Sequence, residues 1–221
     1  MRLFAALLPP GHVLDGPGQL ADAAAQLHSL PGAARLRFID RANWHITLAF
    51  YGEVDEATLP ELRERLSRAA RRGAPVELRL SGGGRFGDRA LWAGIAGAAD
   101  EGGDDGGDGG DAEDADSGGE GRRPGVESLR RLAATAAAAG RRAGLEMEEP
   151  RRFRPHLTLA RARPSAGRPV DLRPYVALLE SLRGERWTAG ELALVRSKLP
   201  DSGIPGEQPR YEQVAAWPLD G

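Results

Sequence analysis

The chain has 221 residues, 41% of them hydrophobic, which is enough to bury a core in one or two globular domains. It has no cysteine, which excludes disulfides, thiolate catalysis and cysteine-ligated zinc or iron sites. The formal net charge of -2 hides a segregation: ten acidic residues lie between Asp100 and Glu120, and the remainder sets 30 basic residues against 22 acidic ones, a balance that suits a polyanionic partner or simply solvated arginine faces.

In chain order, residues 2–8 read as a strand. Their six-residue apolar run ends at Pro9-Pro10, too short for the apolar region of a secretory signal, and no later run approaches a membrane span. A cytoplasmic protein without membrane contact, and a monomer, is expected. Thr58-Leu59-Pro60-Glu61 has the form of a capping box with Pro in the first turn, and Leu59, Leu62, Leu66 and Ala69 form one apolar stripe, so a helix is predicted over about 58–71. Residues 76–80 and 90–95 read as strands. Residues 99–123 are nearly all Gly, Asp, Glu, Ala and Ser, with no large apolar side chain to offset the entropy of ordering, and are expected to be a disordered surface insertion within one catalytic domain spanning 1–221. Leu129, Leu132, Ala133 and Ala136 predict a helix before Gly140, and Leu172, Tyr175, Val176, Leu179 and Leu182 predict another. Residues 191–197 and 211–217 close the chain as strands. Helices and strands are interspersed, so the class is α+β.

The most informative signal is an internal echo. Trp44-His45-Ile46-Thr47-Leu48-Ala49 in the first half is matched by Pro155-His156-Leu157-Thr158-Leu159-Ala160 in the second, two copies of His-x-Thr-Leu-Ala 111 residues apart in a chain with four histidines. On a strand, side chains two apart share a face, so His45 projects with Thr47 and His156 with Thr158, while Ile46, Leu48, Leu157 and Leu159 face the other way. An imidazole titrates near ~6.5 and can give or take a proton, and a threonine hydroxyl can donate to a phosphoryl oxygen. Two such strands across a cleft would supply an acid, a base and two oxyanion donors. His12 and His28 have no such echo and are read as structural or solvated.

These motifs resemble the paired His-x-Thr-x signatures of the two-histidine phosphoesterase superfamily, and the surroundings resemble its bacterial RNA 2',3'-cyclic phosphodiesterase branch, also described as 2'-5' RNA ligases. The likeness runs from Arg2 to Pro10, through Trp44 to Val54 (where the family often has Leu in place of Tyr51), Phe86-Gly87, Leu91-Trp92 and Phe153 to Arg161, to the segment from Tyr211 to Leu219. The acidic insertion departs from the pattern without touching either motif. The resemblance implies a two-lobed α+β fold with pseudo-twofold symmetry, mainly antiparallel sheets flanked by helices, and one motif from each lobe at a central cleft. It implies hydrolysis of a 2',3'-cyclic phosphate at an RNA end or on a small cyclic nucleotide to a 2'-phosphate, without metal or other cofactor. His45 would be the proton donor to the leaving 3'-oxygen, His156 the base that activates water, and Thr47 and Thr158 the holders of the non-bridging oxygens.

Arg161 is expected to bind substrate, although strict alternation from His156 puts it on the wrong face unless the strand ends or bulges near Ala160. Arg35, Arg37, Arg152 and Arg154 either line an RNA path or are merely solvated. Three other readings stand beside the hydrolase. One is 2'-5' ligation at the same site, which in ~55 M water needs a second RNA end held in place. Another is a non-catalytic RNA-binding protein, whose affinity would survive loss of both histidines. A histidine-ligated metalloenzyme is the weakest, because such a site usually takes three or more protein ligands.

Overall fold

The computed structural model describes residues 1–16, 18–97, 124–147, 153–163, 169–200 and 207–221. The 99–123 insertion lies outside the described residues. The elements are β1 (Arg2–Leu7), α1 (Gly11–Asp15), α2 (Leu20–Leu27), β2 (Leu36–Phe38), β3 (Ile46–Glu53), α3 (Leu59–Ala70), β4 (Val76–Phe86), β5 (Ala90–Gly97), α4 (Pro124–Arg142), β6 (His156–Ala162), α5 (Arg173–Leu179), β7 (Arg183–Ala189), β8 (Glu191–Lys198) and β9 (Arg210–Pro218).

All strand pairs are antiparallel, and the main path through the sheet runs β7-β4-β5-β6-β3-β1-β8-β9, with β2 joined to β6 beside β3. The two motif strands meet in the middle through one pair, Ile46 opposite Leu157. About that pair the sheet divides into two four-stranded halves, β7-β4-β5-β6 and β3-β1-β8-β9, so β5 and β1 are equivalent neighbours of the motif strands. This is the two-lobed, pseudo-twofold α+β arrangement expected above.

The helices cover one face of the sheet. Leu62 and Leu66 of α3, Leu129 and Ala136 of α4 and Tyr175 and Leu179 of α5 share a core with Leu3, Leu7, Ile46, Leu48, Leu157 and Leu159. The apolar alternates of both motifs therefore do point into the core, and burying each such side chain contributes roughly 1.5–3 kcal/mol. Tyr51 enters the same core from β3, and its hydroxyl donates to the Ala136 carbonyl of α4 at 3.1 Å. Gly140 is required beside it, since a Cβ there would lie 2.8 Å from the Tyr51 ring. Among the described residues the opposite face of the sheet carries a small buried cluster, Phe4, Ala6, Ala193 and Val195, with Tyr211 against it.

Three local expectations need correction. The capping box at Thr58 does not form: Thr58 already has helical dihedrals and makes no side-chain cap, while Asp55 accepts from the Thr58 amide at 2.6 Å and caps the turn leading into α3. Strand β4 does not end at Leu80 but continues through Gly82-Gly83-Gly84 to Phe86 by a register shift. Gly84 serves the sheet there, since a Cβ would fall 2.3 Å from the Trp92 ring lying over it. The last helix stops at Leu179, so Leu182 packs from the turn into β7.

Candidate active site

His45 enters the sheet from a short 3-10 turn at Arg41–Asn43 that is held on several sides. The Trp44 indole donates to the Ile39 carbonyl at 3.0 Å, the Asn43 side-chain amide donates to the Pro209 carbonyl at 3.0 Å, and the Gln208 side chain bridges the Asp40 backbone amide and the Phe38 carbonyl. The Asn43 carbonyl then lies 2.7 Å from His45 Nδ1. His156 repeats the device, with Nδ1 2.7 Å from the Arg154 carbonyl two residues back. A carbonyl can only accept, so each Nδ1 carries the proton and each Nε2 is left for chemistry.

The structure places Thr47 and Thr158 on the histidine face, as expected. All four side chains are half-buried, and among the described residues neither threonine hydroxyl has a protein partner. Continuing the antiparallel register by one residue on each side of Ile46 and Leu157 sets His45 opposite Thr158 and Thr47 opposite His156. The register thus aligns each histidine position with the threonine position of the other motif.

Arg161 reaches the same face through a bulge. Leu91 of β5 pairs with Ala160 and Trp92 with Thr158, so Leu159 is an extra residue in β6, and the burial of both Leu159 and Ala160 shows the alternation resetting. β3 does the same at Leu48, between the pairs Ala6 with Thr47 and Ala5 with Ala49. Five residues after its histidine, β3 then presents Phe50, 52% exposed, where β6 presents Arg161. The two motifs are alike in their acid–base groups and differ here, an aromatic ring on one side and a cation on the other.

Aromatic walls support both imidazoles. Phe4 lies 4.7 Å and Tyr211 5.1 Å from the His45 ring, Phe86 meets His156 edge-on at 4.9 Å, and Trp92 lies 6.1 Å from it with Arg154 over the indole. These aromatics belong to the stretches that carry the family resemblance, and the resemblance gives them no role at the site. Two signals were available: Phe4 and Ala6 have the parity opposite to Leu3, Ala5 and Leu7, and Phe50 and Arg161 stand at the same offset from the two histidines.

Burial in these walls pushes the His45 imidazole down to about 4, helped by the charges of His156 and Arg161 and opposed by the Asn43 carbonyl. His156 is also pushed down, first by burial and then by Arg161 and Arg154. Both are therefore neutral near pH 7. Because the folded value of His45 lies below the ~6.5 of an unfolded chain, the unfolded state takes up the proton more readily as pH falls. The stability that comes from keeping His45 neutral is complete above about 6.5 and is lost progressively toward 4. Thermal unfolding at pH 7 and at pH 4.5 is expected to show a drop that shrinks in His45→Phe; an undiminished drop would place the acid sensitivity elsewhere. Among the described residues, no three His, Cys, Asp or Glu side chains are grouped so as to hold a metal ion, and no helix is long and apolar enough to cross a membrane.

The model of the LigT-like phosphoesterase family matches residues 14–94 and 122–205 of this chain. A Thermus thermophilus protein named RNA 2',3'-cyclic phosphodiesterase is 31% identical over 224 aligned residues, covering all of this chain and 91% of that protein. A Geobacillus stearothermophilus protein of the same name is 26% identical over 190 residues, 83% of this chain but 48% of the relative, so the chain spans about half that protein's length. A crystal structure of a Thermus thermophilus protein superposes with a TM-score of 0.64 at 26% identity, covering 100% of this chain and 99% of the other. With matches over both motif halves and a shared fold, the chain belongs to the LigT-like phosphoesterase family.

Proposed function

We propose that the chain hydrolyses 2',3'-cyclic phosphates at RNA ends to 2'-phosphates by acid–base catalysis between its two histidines. The observation that carries the reading is the pair of imidazoles, each fixed by an Nδ1 hydrogen bond to a carbonyl and each followed two residues on by a threonine, with the two motifs joined at the central strand pair. The activity for which the Thermus and Geobacillus relatives are named points the same way.

In this scheme His156 Nε2 takes a proton from water, the water oxygen bonds to phosphorus, and the bond from phosphorus to O3' breaks. Protonated His45 gives its Nε2 proton to O3', and exchange with solvent resets both rings. Thr47, Thr158 and Arg161 hold the non-bridging oxygens as negative charge builds there. A neutral His45 is a poor donor, because its Nε2 carries no proton. The phosphodiester anion corrects this, since a negative charge within a few ångströms favours the imidazolium and offsets Arg161. Phe50, exposed and 5.5 Å from Phe4, offers a flat apolar surface for the sugar or base beside that phosphate.

Incubation with an oligoribonucleotide ending in a 2',3'-cyclic phosphate should yield a 2'-phosphate end; a 3'-phosphate product, or none, would overturn the reading. The donor set contains two paired histidines and no thiolate, so activity is expected to persist in excess EDTA and to follow a bell in pH, with one histidine protonated and the other not. Loss in EDTA with recovery on adding a divalent cation would assign the chemistry to a metal instead.

A further inference from the structure

The short strand β2 pairs with β6 so that Arg37 lies directly opposite Arg161. Leu36, before it, is buried in the helical core, so Arg37 turns to the face of the sheet that carries the histidines and the bulge-shifted Arg161. Like charges directly opposite across a strand pair repel and weaken the sheet. Among the described residues neither guanidinium has an ion pair or hydrogen bond that would relieve this. Tyr211 lies on the same rim because Gln208 and Asn43 tie the start of β9 to β2 and the turn after it. The charges of Arg161, Arg2 and Arg37 all act on its phenol, against the upward push of burial. Arg37 and Arg161 thus stand opposite each other on the histidine face, Arg37 on the neighbouring strand.

A single cyclic phosphate, seated between His45 and His156 and held by Arg161, leaves the charge of Arg37 unanswered. We propose that Arg37 forms a second anion subsite that takes the internucleotide phosphate next to the cyclic end, so that the site prefers an RNA terminus to a mononucleotide. This rests on the hydrolase reading. An RNA strand places a phosphate at every nucleotide, and the row from the histidines through Arg161 to Arg37 follows β6 and then crosses to its neighbour, outward from the reacting centre. The arginine fork is suited to such phosphate oxygens.

The test compares three substrates: a nucleoside 2',3'-cyclic phosphate, a dinucleotide ending in the same group, and that dinucleotide with an uncharged methylphosphonate linkage. Wild type is expected to favour the charged dinucleotide over the other two by roughly tenfold in kcat/KM, less at high salt. Arg37→Gln should erase most of this preference while changing mononucleotide hydrolysis by less than about twofold, and Arg37→Lys should restore part of it. Removing one of two facing like charges should also leave the unfolding temperature at low salt unchanged or raised, which separates loss of the subsite from loss of the fold. Equal losses on all three substrates would place Arg37 at the reacting phosphate, and an unaltered preference would make it solvated; either result overturns the subsite. Failure of wild type on every cyclic phosphate would instead overturn the hydrolase reading beneath it.

Discussion

His45→Ala and His156→Ala are each expected to lower turnover on a 2',3'-cyclic phosphate by roughly 10² to 10⁴, the usual contribution of a positioned acid or base. Neither change should unfold the protein. Both side chains are half-buried on the face away from the helical core, and each makes one hydrogen bond, to a carbonyl in the residues just before it. Removal of His45 also takes away a ring that is unfavourable to protonate below neutral pH, so its loss should be least harmful to stability in acid. The comparison requires single-turnover rates alongside unfolding curves for wild type and both variants. Activity equal to wild type in either variant would remove that histidine from the mechanism. A fall in rate matched by a fall in folded protein would mean that the aromatic walls, and not the proton, were lost.

Much of this site was legible because strand alternation is a strict geometric rule. His45 with Thr47, and His156 with Thr158, followed from spacing alone, as did the burial of Ile46, Leu48, Leu157 and Leu159. Arg161 is the point at which alternation and resemblance disagree, and the bulge at Leu159 resolves them: one extra residue returns the arginine to the face that carries the histidines. A bulge has no reliable signature in a run such as Leu-Ala-Arg-Ala, because its extra residue is specified by pairing with β5, far away in sequence. The same holds for β2, a three-residue strand whose partner lies more than a hundred positions downstream. Helices α1 and α2 and strand β7 went unassigned because the first is a single turn, the second is largely alanine, and the third mixes charged residues with only Trp187 and Ala189 buried. At Thr58 the capping pattern was present, but the chain was already helical there and Asp55 took the role.

The near-identity of the two motifs also limits what geometry can assign. Both imidazoles have the same tautomer, the same kind of anchor and a threonine two residues on, and burial pushes both toward the neutral form. The order of acid and base is carried by the resemblance, so it calls for a substrate that makes one of the two roles unnecessary. Replacing the 3'-bridging oxygen by sulfur does so, because a thiolate departs without needing a proton. If His45 is the donor, His45→Ala should recover much of its lost rate on the sulfur substrate, roughly the 10²-fold or more that a general acid contributes. His156→Ala, still without a base for water, should stay slow on both. Recovery by His156→Ala alone would reverse the roles while keeping two-histidine catalysis. Failure of both would indicate that the imidazoles act mainly by placing the phosphate against Thr47, Thr158 and Arg161, in which case the sulfur substrate should instead show its largest losses when those three donors are removed.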